Sequence, residues 1–99
     1  MIYKVKAKYK EDKLDEFYKK LTDGSIKSQE PDGEEIVASM KRAKITGPRT
    51  IEWYEKCFCP TPLQHERATV YDKYLEDIET EEAGEYGEVE GRSFWKKMV

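Results

Sequence analysis

Tyr3, Val5, Ala7 and Tyr9 alternate with Lys4, Lys6, Lys8 and Lys10 at the start of the chain. A period of two over eight residues specifies a β-strand with one packed face and one wet, lysine-bearing face. Such a strand must be covered on its apolar side, and the next residues supply the cover. Leu14, Phe17, Tyr18 and Leu21 recur at helical spacing and make one apolar stripe. Asp12 is placed to cap that helix, and Asp23-Gly24 to stop it, because glycine takes the left-handed conformation that closes a helix.

The chain then reads through a loop, Thr22 to Glu34, in which Ile26 is the residue able to pin it to the body. Ile36 to Thr46 reads as a strand, since Ile36-Val37 opens it and Ala43 and Ile45 alternate with Arg42 and Lys44. Gly47-Pro48 is a turn, and Thr50 to Cys59 is the partner strand of an antiparallel hairpin. In that strand Ile51, Trp53, Cys57 and Cys59 share one face while Tyr54 and Phe58 take the other. Apolar groups on both sides mark a central strand covered on both faces.

Thr61-Pro62-Leu63-Gln64 is a helix-start pattern, with Thr61 as cap and Pro62 in the first turn. Val70, Tyr71, Tyr74, Leu75 and Ile78 continue it as an apolar stripe, so a helix is expected from Pro62 to about Asp77. Glu76 to Glu90 contains acids and no lysine or arginine, and a fourth strand is expected within it. Ser93 is placed to cap a last turn whose Phe94, Trp95 and Met98 must dock on the body or on a partner.

These elements predict an α+β fold of ferredoxin-like βαββαβ order, an antiparallel sheet with two helices on one face. Residues 1–99 form a single domain, with the acidic segment and aromatic tail beginning at about 77. A monomer of 99 residues buries a limited share of its surface, which favours dimerisation through the sheet.

The opening IYKVKAKYKEDKLDEFYKKL, with Asp15-Glu16-Phe17 in its helix, and PRTIEWYEKC, with Pro48, Thr50, Tyr54 and Glu55, resemble the dimeric α+β-barrel superfamily. Within it the likeness is to the small antibiotic-biosynthesis-monooxygenase-like domains. The resemblance implies a homodimer whose sheets pack face to face around a small pocket in each subunit. Tyr54 and Phe58 would then lie on the enclosed face. The haem-degrading branch of the superfamily relies on an asparagine, and this chain has none.

Composition narrows the partners. The net charge of −3 gives no general attraction to phosphate backbones, so no nucleic acid is expected. The Lys4/Lys6/Lys8 strip, joined by Lys41, Arg42 and Lys44, reads as a solvated face that discourages edge pairing. No run is long and apolar enough for a membrane span, and no membrane partner is expected. A cytoplasmic location, where Cys57 and Cys59 stay reduced, is the expectation.

Cys57, Cys59 and His65 are the densest group of reactive side chains, and Glu66 could add a fourth ligand. Residues two apart on a strand stand roughly 6–7 Å apart at Cα, which is awkward for a disulfide. The same spacing on a straight strand argues against one shared tetrahedral metal, so no metal and no cofactor are expected. Free cysteines ordinarily act as small buried hydrophobes, and beside that stands a thiol reading, because Cys59 precedes a helix start that favours thiolate and His65 is placed to act as its base. The candidate catalytic residues are therefore Cys59 and His65, and the candidate ligand-binding residues are Trp53, Tyr54, Glu55 and Phe58. The expected function is a small homodimeric domain that binds a small molecule or protein partner. The alternative is a cofactor-independent monooxygenase-like or thiol-dependent enzyme acting near Cys59 and His65.

Overall fold

The computed structural model describes all 99 residues. Strand β1 (Ile2–Tyr9) forms as the alternation requires, with Tyr3, Val5, Ala7 and Tyr9 buried and Lys6 and Lys8 exposed. Helix α1 (Leu14–Thr22) buries Phe17 and Leu21. It is entered through a 3-10 turn at Glu11–Lys13 with no side-chain cap, so Asp12 does not play the capping role expected of it. Gly24, at φ 91°, follows the helix end as expected, and Ile26 is buried in the loop beyond it.

The segment expected to be a strand over Ile36 to Thr46 is instead mostly helix. Helix α2 (Gly33–Arg42) buries Ile36, Val37 and Met40 along one side. Glu34 and Glu35 sit in its first turn and Lys41 and Arg42 in its last, complementing the helix dipole. A β-branched residue in a helix costs at most about 0.7 kcal/mol. Burying a side chain of this size gains about 1.5–3 kcal/mol, so packing of Ile36 and Met40 outweighs the local preference. Only the tail of the segment is extended, as β2 (Lys44–Gly47). The start of α2 lies so close to the preceding loop that a Cβ at Gly33 would stand 2.1 Å from the Ile26 carbonyl oxygen.

A tight turn with Arg49 at φ 52° leads into β3 (Thr50–Lys56), which pairs with β2 and β1. A helical stretch over residues 64–74, here α3, follows. It consists of an α turn (Gln64–Glu66), a π segment (Arg67–Tyr71) and a second α turn (Asp72–Tyr74). It starts two residues later than expected, because Leu63 takes the left-handed conformation at φ 56° and is fully buried. The Thr61 hydroxyl donates to the Gln64 side chain at 3.0 Å rather than accepting from the helix backbone.

Strand β4 (Leu75–Glu82) occupies the acidic segment and ends the expected helix three residues early. A short β5 (Arg92–Ser93) and helix α4 (Phe94–Met98) close the chain. Ser93 Oγ accepts from the Lys96 N–H at 3.2 Å, and Phe94 and Met98 dock on the body of the same chain.

The result is an α+β domain with a five-stranded antiparallel sheet of order β4-β1-β3-β2-β5. Four helices accompany it rather than the two expected. The inward side chains of β1 and β3 and the buried residues of the helices form one core. Phe17 stacks on Tyr74 with ring centroids 4.5 Å apart, and Phe94 packs against Tyr9 at 5.4 Å.

The opposite sheet face differs from the basic strip expected. Lys4, Lys6 and Lys8 stand between Glu52 on one side and Glu76, Glu79 and Glu81 on the other. Lys41 lies over the Trp95 ring and Arg42 pairs with Glu35, so neither joins the lysines. The face carries both signs of charge. Tyr54, on this face, meets a cover from its own chain: a Cβ at Gly87 would stand 2.7 Å from its hydroxyl. No helix is long and apolar enough to cross a membrane.

Candidate functional site

Strand β3 was expected to run through Cys59, but it ends at Lys56. The ladder to β1 is continued by two terminal bonds: the Cys57 N–H donates to Met1 O at 2.8 Å, and the Met1 ammonium to Cys57 O at 3.1 Å. The chain then turns sharply, and the Cys59 N–H donates back to Cys57 Sγ at 3.2 Å. This turn turns Phe58 outward, where it is 81% exposed, and brings Cys59 back toward Cys57. Across the turn, the first residues of α3 present Glu66.

Glu66 is almost fully buried, and its Oε1 lies 3.4 Å from Cys59 Sγ and 3.7 Å from Cys57 Sγ. Those two sulfurs and a Glu66 oxygen all fall within 4.8 Å of one another. Burial, first of all, pushes the Cys57 thiol up to about 12, and the nearby Glu66 charge adds to it. Cys57 is therefore a protonated thiol at neutral pH.

These groups line a cleft of about 250 Å³ whose far wall is Pro31, Asp32 and Glu35. Both acids on that wall are fixed in place. Glu35 Oε2 accepts from the Lys56 N–H, Arg42 Nη2 and the Tyr86 hydroxyl, each at 3.0 Å. Asp32 Oδ2 holds His65 Nδ1, while Oδ1 accepts from Gln29 Nε2 at 3.1 Å. The Asp32 hydrogen bond raises the His65 pKa above its ordinary value, against a smaller opposing effect of burial. His65 thus sits beside the cleft with its Nδ1 committed to Asp32, not to Cys59.

The expected ligand-binding residues separate into three places. Phe58 is at the cleft mouth, with the Lys56 ammonium 5.2 Å from its ring centroid. Tyr54 lines a second cleft, about 410 Å³, with Arg42, Lys44 and Gly87. Trp53 and Glu55 are buried in the core, and an edge of Trp53 also lines that second cleft.

Glu55 is the group whose environment the sequence least suggested. It is fully buried, and its Oε1 accepts from the Tyr71 hydroxyl at 2.6 Å and from Trp53 Nε1 at 2.8 Å. Its Oε2 has no hydrogen-bond partner. Desolvation lifts its pKa to about 8, opposed by the two hydrogen bonds and reinforced by the Glu66 charge. Burial likewise pushes the Tyr71 phenol well up. The inward register of β3, which puts Glu55 on the face of Ile51 and Trp53, was the available signal.

No family model, curated protein or solved structure matches the chain.

Proposed function

We propose that the chain is a small cytoplasmic binding domain that takes a small molecule in the cleft between the Cys57–Cys59 turn and the start of α2. The observation that carries this reading is Phe58, 81% exposed at the mouth of a concave site whose floor is thiol and carboxylate. An apolar ring over a few fixed polar groups is the usual make-up of a ligand site. A small-molecule thermal-shift screen of the wild type and Phe58→Ser tests it. Compounds that raise the midpoint of the wild type but not of the variant support the cleft. Compounds that stabilise both equally place binding elsewhere and sink the reading.

We read the fold as an elaborated ferredoxin-like βαββαβ arrangement. Support comes from the order β4-β1-β3-β2 with every neighbour antiparallel, to which α2, β5 and α4 are additions. A homodimer closed through the sheet, as in the dimeric α+β-barrel superfamily, is the second reading. The lysines of β1 set between Glu52 of β3 and the glutamates of β4 give a face of interleaved charge. Such a face complements itself across a two-fold axis. Light scattering at micromolar concentration decides this, and a monomer mass removes the dimer.

A thiol-dependent enzyme using Cys59 and His65 has weaker support, since His65 Nδ1 is engaged by Asp32. A monooxygenase-like activity rests on the family resemblance alone.

A further inference from the structure

The Cys57–Cys59–Glu66 group raises a question that hydrogen bonding does not answer. Glu66 is 1% exposed, and the hydrogen bonds it accepts come from two thiols, which are weak donors. A buried carboxylate ordinarily needs a cation or several strong donors to offset its lost hydration. None of the chain's ion pairs includes Glu66 or the neighbouring Glu55. Two thiols, a buried acid without a counter-charge, and an open cleft converge on one point.

We propose that Cys57 Sγ, Cys59 Sγ and a Glu66 carboxylate oxygen form a binding site for a zinc-class divalent cation, with its fourth position facing the cleft. The proposal deepens the reading of this cleft as the binding site and rests on it.

The two S···O edges support a shared ion. Zinc binds thiolate at about 2.3 Å and carboxylate at about 2.0–2.2 Å, so a tetrahedron has S···O edges of roughly 3.6 Å. The two S···O separations here are 3.4 and 3.7 Å. The objection from a straight strand, that residues two apart diverge too far, does not apply where the strand has ended at Lys56. Donor type then selects the metal. Two thiolates disfavour magnesium and calcium, and the carboxylate moves preference from copper(I) toward zinc. Three protein donors and one open position are the arrangement of reactive rather than purely structural zinc sites.

Binding is a ligand exchange without redox change. Each S–H bond breaks heterolytically, its proton passes to buffer, its electron pair forms the S–Zn bond, and waters leave the hydrated ion. The site then carries two thiolates, one carboxylate and Zn²⁺, a net charge of −1. Because both thiols must lose a proton to bind, metal loading becomes more favourable as pH rises.

The test titrates the reduced, metal-free full chain with Zn²⁺ by calorimetry in two buffers of different ionisation enthalpy, and with Co²⁺ by absorption. The expected result is one ion per chain, proton release on binding, and a thiolate-to-cobalt charge-transfer band. Cys59→Ser and Glu66→Gln should each weaken Zn²⁺ by more than the roughly 10–100-fold that loss of an outer-shell partner costs. Circular dichroism confirms that both variants are folded. Absence of the charge-transfer band, or unchanged affinity in both variants, overturns the site. If fragments still raise the midpoint of the metal-free protein through Phe58 while zinc does not bind, this inference fails and the cleft reading stands. If neither binds at the cleft, both fall.

Discussion

Cys59 and Glu66 meet at 3.4 Å across the turn that separates β3 from α3. The contact exists because the strand stops short, Leu63 turns left-handed, and the helix therefore begins with Glu66 facing the sulfurs. Cys59 is only partly buried, whereas Cys57 is 3% exposed with its thiol pushed up to about 12. In metal-free protein, iodoacetamide at neutral pH should label Cys59 well before Cys57. Peptide mass spectrometry over time checks the order, and equal labelling would contradict the placement of the two thiols.

Glu55 should give the protein a distinctive pH dependence. Its folded pKa is raised to about 8 from an ordinary 4.5, so the native state holds a proton that the unfolded chain has released. Stability contributed by that proton is complete below about 4.5 and is lost as pH rises toward about 8. At about 1.4 kcal/mol per unit, the loss is on the order of a few kcal/mol. Glu55→Gln keeps an oxygen for Tyr71 and Trp53 and should flatten the dependence across this window. Urea denaturation of metal-free protein at several pH values measures it. A variant with the wild-type slope assigns the dependence to another group.

His65 titrates in the opposite chemical sense, as a cation held by Asp32. Its raised pKa means that the pair's contribution is present below the ordinary histidine value and is lost as pH rises through the folded one. NMR titration of the ring should show a pKa above the ordinary value in the wild type and a lower one in Asp32→Asn. No difference between the two would separate His65 from Asp32 in solution.

The terminal helix α4 should be part of the stable core. Phe94 is fully buried, packs on Tyr9 and Phe17, and its N–H donates to Ala43 O at 3.0 Å. Phe94→Ala should cost about 3–5 kcal/mol. A change under about 1 kcal/mol by chemical denaturation would show that the tail docks only loosely.

Elements carrying a strict period were legible in the sequence. The alternation of β1, the stripe of α1 and the Ser93 cap appear where their patterns put them. Helix α2 was misread because Ile36-Val37 favours a strand locally, while Met40 decides for a helix by burying the same side of it. A cover over Tyr54 was expected from the two-faced strand, but its source was not legible, since the close approach of Gly87 depends on a long-range crossing that no local pattern encodes. For the site, the sequence grouped Cys57, Cys59 and His65, with Glu66 only as a possible further ligand. It placed the cysteines on a straight strand, however, and the turn after Lys56 reverses the inference drawn from their spacing. His65 lay near in sequence but had a partner, Asp32, thirty-three residues away.

The cleft beside the Cys57–Cys59 turn is the proposed binding site. The most direct measurement is a ¹H–¹⁵N NMR map of the full chain during titration with a fragment library. Shifts concentrated at Asp32, Glu35, Cys57, Phe58, Cys59 and Glu66 are the predicted result. Shifts centred instead on Arg42, Lys44, Tyr54 and Gly87 would move the site to the second cleft and contradict it.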